Sequence, residues 1–125
     1  RGSDMATTSN NGIPNFDTLV KESGLNKDGV TNFLTNTTGS VFNIKAVNGD
    51  NITHFKMYDQ YSITYGTTAP DFVVPVAANS TMSIQCRGGI VFSTAASMAA
   101  ARAGGTGSSG DTAPTSFAVT IFGGA

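Results

Sequence analysis

From position 41 to position 122 the chain alternates apolar and polar residues in short runs, separated by turn-forming residues. That is the pattern of strands with one buried face. The run 41–48 sets Phe42, Ile44 and Ala46 on one face against Asn43, Lys45 and Val47 on the other. Asn48-Gly49 follows, a dipeptide suited to the positive φ angles of a tight hairpin. The returning strand is expected over 52–58, with Phe55 and Met57 opposite His54, Lys56 and Tyr58; both faces carry bulky residues and are expected to be partly covered. Further strands are expected at 61–65, 70–77, 81–86, 90–94 and 115–122, the last with Phe117, Val119 and Ile121 inward. Pro75 cannot donate a ladder hydrogen bond, which places its strand at a sheet edge or near a break. Gly88-Gly89 divides two of the runs. About seven strands with regular turn signals predict an all-β chain, an antiparallel β-sandwich of jelly-roll-like form.

Two regions depart from this period. The segment 95–103 is rich in alanine around Ser97, Met98 and Arg102. By propensity it fits a short helix; by size it fits a strand where two sheets or two subunits approach closely. The Gly/Ser run 104–110 behind it reads as a flexible loop. The N-terminal third differs in kind. Residues 1–5 (Arg-Gly-Ser-Asp-Met) read as an expression-tag remnant, residues 6–40 as an extended, partly helical arm, and residues 41–125 as the sandwich domain. Asn15 or Asp17 is placed to cap a short helix running through Glu22, with Gly24 closing it and a second turn near 28–34. Ile13, Phe16, Leu19, Val20, Leu25, Phe33 and Leu34 are too few for a second core, so they are expected to form an assembly arm that docks on the chain's own sandwich or on a neighbouring subunit.

Composition narrows the choice of partner. Only 12% of residues are charged, against about 25% in an average domain, and 54 of 125 are Thr, Ser, Asn or Gly. A net charge of −1 with seven scattered bases offers no basic face for nucleic acid. No apolar run approaches the roughly 20 residues of a membrane-spanning helix, so neither nucleic acid nor membrane is an expected partner. The polar stretch after Met5 lacks a secretory core, which points to folding in a cytoplasm.

Chemistry is hard to assemble from the remainder. Cys86 is the single cysteine, so no internal disulfide is possible, and its alternation with Met82 and Ile84 gives it a core position. His54 is the single histidine and lacks a spaced nucleophile and acid, which makes it a solvent-facing or interface residue rather than a general base. Asp59 and Asp71 could approach across loops as a carboxylate pair, although Asx side chains at such places usually form turns. Gly104-Gly105-Thr106-Gly107 has no lysine to cradle a phosphate. Asn48-Gly49-Asp50-Asn51 has the look of a hairpin tip, not of a calcium loop. Tyr58, Tyr61 and Tyr65 form a candidate ligand surface for a sugar, or else pack within strands. No catalytic residue, cofactor or metal site is expected. Short uncharged side chains on strands suit assembly instead, since they lose little entropy and repel little on contact.

The blocks His54-Phe-Lys-Met-Tyr-Asp59, Gly66-Thr-Thr-Ala-Pro70, Val74-Pro-Val-Ala-Ala-Asn-Ser80 and Gly88-Gly-Ile-Val-Phe-Ser-Thr94, followed by Asp111-Thr-Ala-Pro114, resemble a family of small structural proteins of tailed bacteriophages. The likeness runs from about Phe42 to Gly123 and omits the arm. It implies a virion protein. A β-sandwich behind an N-terminal arm is also similar to capsid decoration (cement) proteins, which implies a homo-oligomer, with a trimer favoured. It would sit on the capsid surface, bound to the phage major capsid protein and assembled in the host cytoplasm. The alternative is a receptor- or glycan-binding module of a tail or head fibre that uses the three tyrosines. A hydrolase is the third and weakest option.

Overall fold

The computed structural model describes residues 18–27, 31–34 and 39–124. Among them the chain forms eight strands and no helix: β1 (Thr18–Glu22), β2 (Thr31–Leu34), β3 (Gly39–Asn48), β4 (Thr53–Tyr58), β5 (Phe72–Val76), β6 (Ser80–Phe92), β7 (Ala96–Ala101) and β8 (Phe117–Gly124). They build two four-stranded sheets, ordered β1-β8-β3-β6 and β2-β7-β4-β5. Every neighbouring pair is antiparallel. The pairs β1·β8, β2·β7, β3·β6 and β4·β5 nest inside one another, as if one long hairpin had been folded over on itself. Only β4 and β5 are both consecutive in the chain and neighbours in a sheet.

The sheets face each other across one core. Val41, Ile44, Ala46, Phe117, Val119 and Ile121 come from the first sheet; Phe55, Met57, Val76, Met98 and Ala100 come from the second. The rings of Phe55 and Phe117 meet between the layers, stacked with centroids 6.4 Å apart. Inward alternation on β8 is as the sequence predicts, with Phe117, Val119 and Ile121 buried. β5 is an edge strand, which accommodates Pro75. The alanine segment is strand β7, central in its sheet and buried along its whole length. Small side chains there let neighbouring elements lie close on both faces.

Several expectations need correction. Thr18–Glu22 is not helical but pairs with β8, and Thr31–Leu34 pairs with β7, so from Thr18 onward the expected arm supplies one strand to each sheet. A ladder partner satisfies backbone groups that local caps would satisfy only at a helix end, and it lets Val20 pack on the core. Leu25 is likewise buried in the core, and its N–H donates to the Phe117 carbonyl at 3.1 Å. Ile13, Phe16 and the proposed caps Asn15 and Asp17 lie outside the described residues. Asn48-Gly49 is not a hairpin: β3 and β4 belong to different sheets, and neither residue has positive φ. It is a corner between layers. Residues 61–65 form an irregular loop rather than a strand, leading into a turn at 65–67 with Gly66 at φ +88 and the Thr67 and Thr68 N–H groups donating to the Thr64 carbonyl.

The two runs around Gly88-Gly89 are one strand, β6, interrupted by a wide bulge. Val41 pairs with Ile90 and Asn43 with Gln85, so the single residue Phe42 faces residues 86–89. The same irregularity shifts the phase of β3: Val41 and Ile44 are both buried, and Phe42 leaves the expected inner face. Gly89, at φ +82, lies under the Phe42 ring, where a Cβ would come within 2.9 Å of a ring carbon. Cys86 opens the bulge and is half-buried rather than fully enclosed.

Candidate functional site

The outer faces of the two sheets differ sharply. On the second sheet, the side chains directed away from the core are Tyr58 and Ser97, Lys56 and Ala99, and His54 and Ala101, paired across β4 and β7. Lys56, Tyr58, Ser97, Ala99 and Ala101 are nevertheless fully buried. The connections 59–71 and 102–116 seal this face. Partial cover of both faces of β4 was legible in the sequence; which segments supply it was not.

The seal is built from polar contacts. The Lys56 ammonium donates to the Tyr65 hydroxyl at 2.7 Å and lies 4.8 Å from the centre of the same ring. Tyr65 donates in turn to the Asp111 carboxylate at 2.9 Å. Asp111 also accepts from the Ser108 N–H at 2.8 Å and the Ser108 hydroxyl at 3.3 Å. A Cβ on Gly107, at φ +76, would collide with both Tyr65 Oη and Asp111 Oδ2, so only glycine closes the loop over this chain of bonds. Burial lowers the Lys56 pKa, with the Asp111 charge opposing it. Burial also raises the Tyr65 pKa, reinforced by the Asp111 hydrogen bond and charge. The Ser108 N–H, helped by both hydroxyls and by Lys56, holds the Asp111 carboxyl below its usual range against desolvation. Beside them the Tyr58 hydroxyl is buried with no hydrogen-bond partner, and burial pushes its pKa up to about 12.

A second fastening holds both ends of the same loop. Arg102 grips Asp50 through Nε at 3.2 Å and a terminal guanidinium nitrogen at 2.7 and 2.9 Å, while the Thr115 N–H donates to Asp50 at 3.0 Å. The Arg102 bond, with the Asn51 and Thr115 N–H groups, lowers the Asp50 pKa. His54 Nδ1 lies 2.9 Å from the Arg102 carbonyl, which makes Nδ1–H the donor. The single histidine thus holds a strand end. The Gly/Ser loop, expected to be flexible, is tied at its tip and at both ends.

Asp59 and Asp71 do approach each other, as turn formers. The Asp59 N–H donates to Asp71 at 2.7 Å. The Asp59 carboxylate accepts from the Ser93 N–H and hydroxyl and from the Thr94 and Ala95 N–H groups. Desolvation opposes its ionisation, but those donors outweigh it and lower the pKa. Asn48 plays the same part at the corner between layers: its Nδ2 donates to the carbonyls of Asn51, Val76 and Ala77, and its Oδ1 accepts from the Asp50 N–H and the Thr53 hydroxyl. No group of three metal-binding side chains exists among the described residues.

Of the three tyrosines expected to share a ligand surface, Tyr58 is buried, Tyr65 is committed to Lys56 and Asp111, and Tyr61 alone is exposed. Tyr58 lies beneath the loop that carries Tyr61 and Tyr65, so the three rings do not share one exposed face. Of the expected arm residues, Leu19 is exposed, Val20 and Leu25 pack on the core, and Phe33 and Leu34 are in β2. The Lys56–Tyr65–Asp111 chain and the Asp50–Arg102 pair escaped sequence reasoning because Tyr65 and Asp111 are 46 residues apart and Asp50 and Arg102 are 52 apart. A lysine flanked by Phe55 and Met57, with Tyr58 on its own face, was the one local signal.

Among the described residues, no connection folds over the outer face of the first sheet in this way. Strand register places Leu19, Phe122, Asn43 and Gln85 in one row across it; Lys21, Thr120, Lys45 and Ser83 form the next, and Ala118, Val47 and Thr81 a third. Leu19 is 52% exposed, Val47 42% and Phe122 40%. No carboxylate occurs in these rows. Comparison with protein-family models, with curated proteins and with solved structures gave no match to this chain.

Proposed function

We propose that this chain is a non-enzymatic structural protein of a phage virion. In this reading it is a decoration or cement protein that stabilises the head by bridging adjacent capsomers as an oligomer, a trimer being favoured. The observation that carries the proposal is the contrast between the two outer faces. One is covered over β4 and β7 by the chain's own loops; among the described residues the other carries exposed apolar side chains and no carboxylate, as a surface to be covered does. The nested strand pairs follow the eight-stranded jelly-roll order, an architecture common among viral capsid and lectin domains, which is support by analogy. Three carboxylates serve as fasteners: Asp50 with Arg102, Asp59 with the 93–95 turn, and Asp111 with Tyr65, whose hydroxyl also accepts from Lys56.

Light scattering on the eluted peak of a sizing column is expected to give the mass of a trimer. Incubation with heads of the encoding phage should then bring the protein down with the particles. A monomer at high micromolar concentration that leaves the heads bare contradicts the proposal. The alternative, a glycan-binding fibre module, draws on Tyr61 alone, and Tyr61→Ala on a glycan array is its test.

A further inference from the structure

We infer that Asn48-Gly49 is a latent modification site. The folded corner keeps Asn48 an amide, opening of the corner lets it deamidate through a cyclic imide, and the deamidated chain cannot rebuild the corner. The site stands apart from the virion reading and does not depend on it.

In an open chain, asparagine followed by glycine is the pair most prone to this reaction, because glycine leaves its own nitrogen unhindered. The Gly49 nitrogen, its proton passed to solvent base, attacks Asn48 Cγ; ammonia leaves and a five-membered imide closes. Water then opens the ring at either carbonyl. The product is aspartate, or isoaspartate with the main chain rerouted through Cγ.

The fold withholds both reacting groups. Asn48 is buried. Its Nδ2 donates to the carbonyls of Asn51 at 2.8 Å and of Val76 and Ala77 at 3.1 Å. Its Oδ1 accepts from the Asp50 N–H at 3.0 Å and the Thr53 hydroxyl at 3.5 Å. The nucleophile is held as well, since the Gly49 N–H donates to the Ser116 carbonyl at 2.9 Å. Bringing Cγ onto the Gly49 nitrogen breaks these bonds together, so the reaction runs through local opening. The corner also requires both residues. A Cβ at Gly49 would come within 2.8 Å of Ser116 Oγ. Only an amide side chain donates to carbonyls on one side while accepting from an N–H and a hydroxyl on the other. The packing that needs this pair is therefore also what restrains its chemistry.

The product no longer fits. In aspartate an oxygen takes the place of Nδ2 and faces three carbonyl oxygens, a buried acceptor with its donors lost. Isoaspartate adds one carbon to the main chain where β3 pairs with both Ser80 and Phe117. A chain modified while open is thereby prevented from closing, and an otherwise reversible opening becomes permanent.

The sequence supplies its own reference, a second such pair at Asn11-Gly12. The test incubates the full chain at mildly alkaline pH, folded and in urea. Tryptic peptide 46–56 is followed by mass, with fragment ions separating Asn48 from Asn51. In urea, Asn48 and Asn11 should convert at similar rates. In the folded protein Asn48 should convert about a hundredfold or more slowly than in urea. Chains aged in urea should lose the ability to refold in step with conversion at Asn48, and an Asn11→Gln variant should lose it at the same pace. Asn48→Asp, made directly, should unfold at lower urea than the parent or fail to fold; the aged chains test the same point without that variant. Equal conversion of Asn48 in the folded protein and in urea overturns the protection. Chains deamidated at Asn48 that refold to the parent's urea midpoint, or a refolding loss that disappears in Asn11→Gln, overturn the irreversible step.

Discussion

Tyr58 isolates a physical cost at a single atom. Its ring helps to seal the outer side of β4, but its hydroxyl is buried with no hydrogen-bond partner. An unsatisfied buried hydroxyl destabilises a fold by about 1–3 kcal/mol, so Tyr58→Phe is expected to raise stability by about 1 kcal/mol in a urea titration near neutral pH. The same hydroxyl predicts an alkaline effect. Its pKa is raised to about 12 from an unfolded value near 10, so its contribution is fully present below about pH 10 and is lost as pH rises toward 12. The phenylalanine variant should therefore lose less stability than the unaltered protein between pH 9 and pH 11. A variant that is weaker than the parent at neutral pH would show that the hydroxyl has a partner. Lys56, two residues away on the same face, faces the opposite problem and meets it with Tyr65 and the charge of Asp111. Neither fate could be read locally. An alternating strand tells which residues share a face, but not whether a distant loop returns to cover it.

At the scale of elements, three carboxylates act as rivets. Asp50 holds the ends of the 102–116 connection, Asp111 holds its tip, and Asp59 holds the turn leading into β7. All three have lowered pKa values in the fold. A lowered carboxyl pKa gives stability that is present above the unfolded value, near 4, and lost as pH falls through the folded one. The protein is thus expected to hold its stability down to about pH 4 and lose it steeply below. Asp111→Asn should make that acid loss shallower and speed amide hydrogen exchange at 104–110, while exchange in β8 stays slow. Equal exchange in variant and parent would mean that the tip is not held by Asp111. Element by element, legibility followed locality. The inward triplet of β8 and the edge position of β5 were readable because alternation and the missing proline N–H are properties of the strand itself. β1 was misread as a helix because its partner is the last strand of the chain, roughly a hundred residues away. Asn48-Gly49 was misread as a hairpin because a corner between sheets and a hairpin use the same turn residues. Which one forms is decided by the nesting of strand pairs, not by the turn.

For the whole molecule, the two sheets divide the work. The central strands β4 and β7 of the second sheet are covered on both sides, with their outward polar groups spent on holding loops. The β1-β8-β3-β6 sheet keeps one face toward the core, and on the other the described residues Leu19, Lys21, Lys45 and Val47 are exposed. The outer face of that sheet is made of rows of Thr, Ser, Asn, Gln, Ala and apolar residues that hold two lysines and no carboxylate. Such a face loses little on being covered, which is why assembly rather than catalysis is the function proposed. The most direct measurement is cryo-electron microscopy of the encoding phage, with the particle reconstructed at a resolution that separates strands. The account predicts an eight-stranded sandwich on the outer surface of the head, bridging capsomers. A particle whose head carries no such density, or one in which the sandwich sits in the tail, contradicts it.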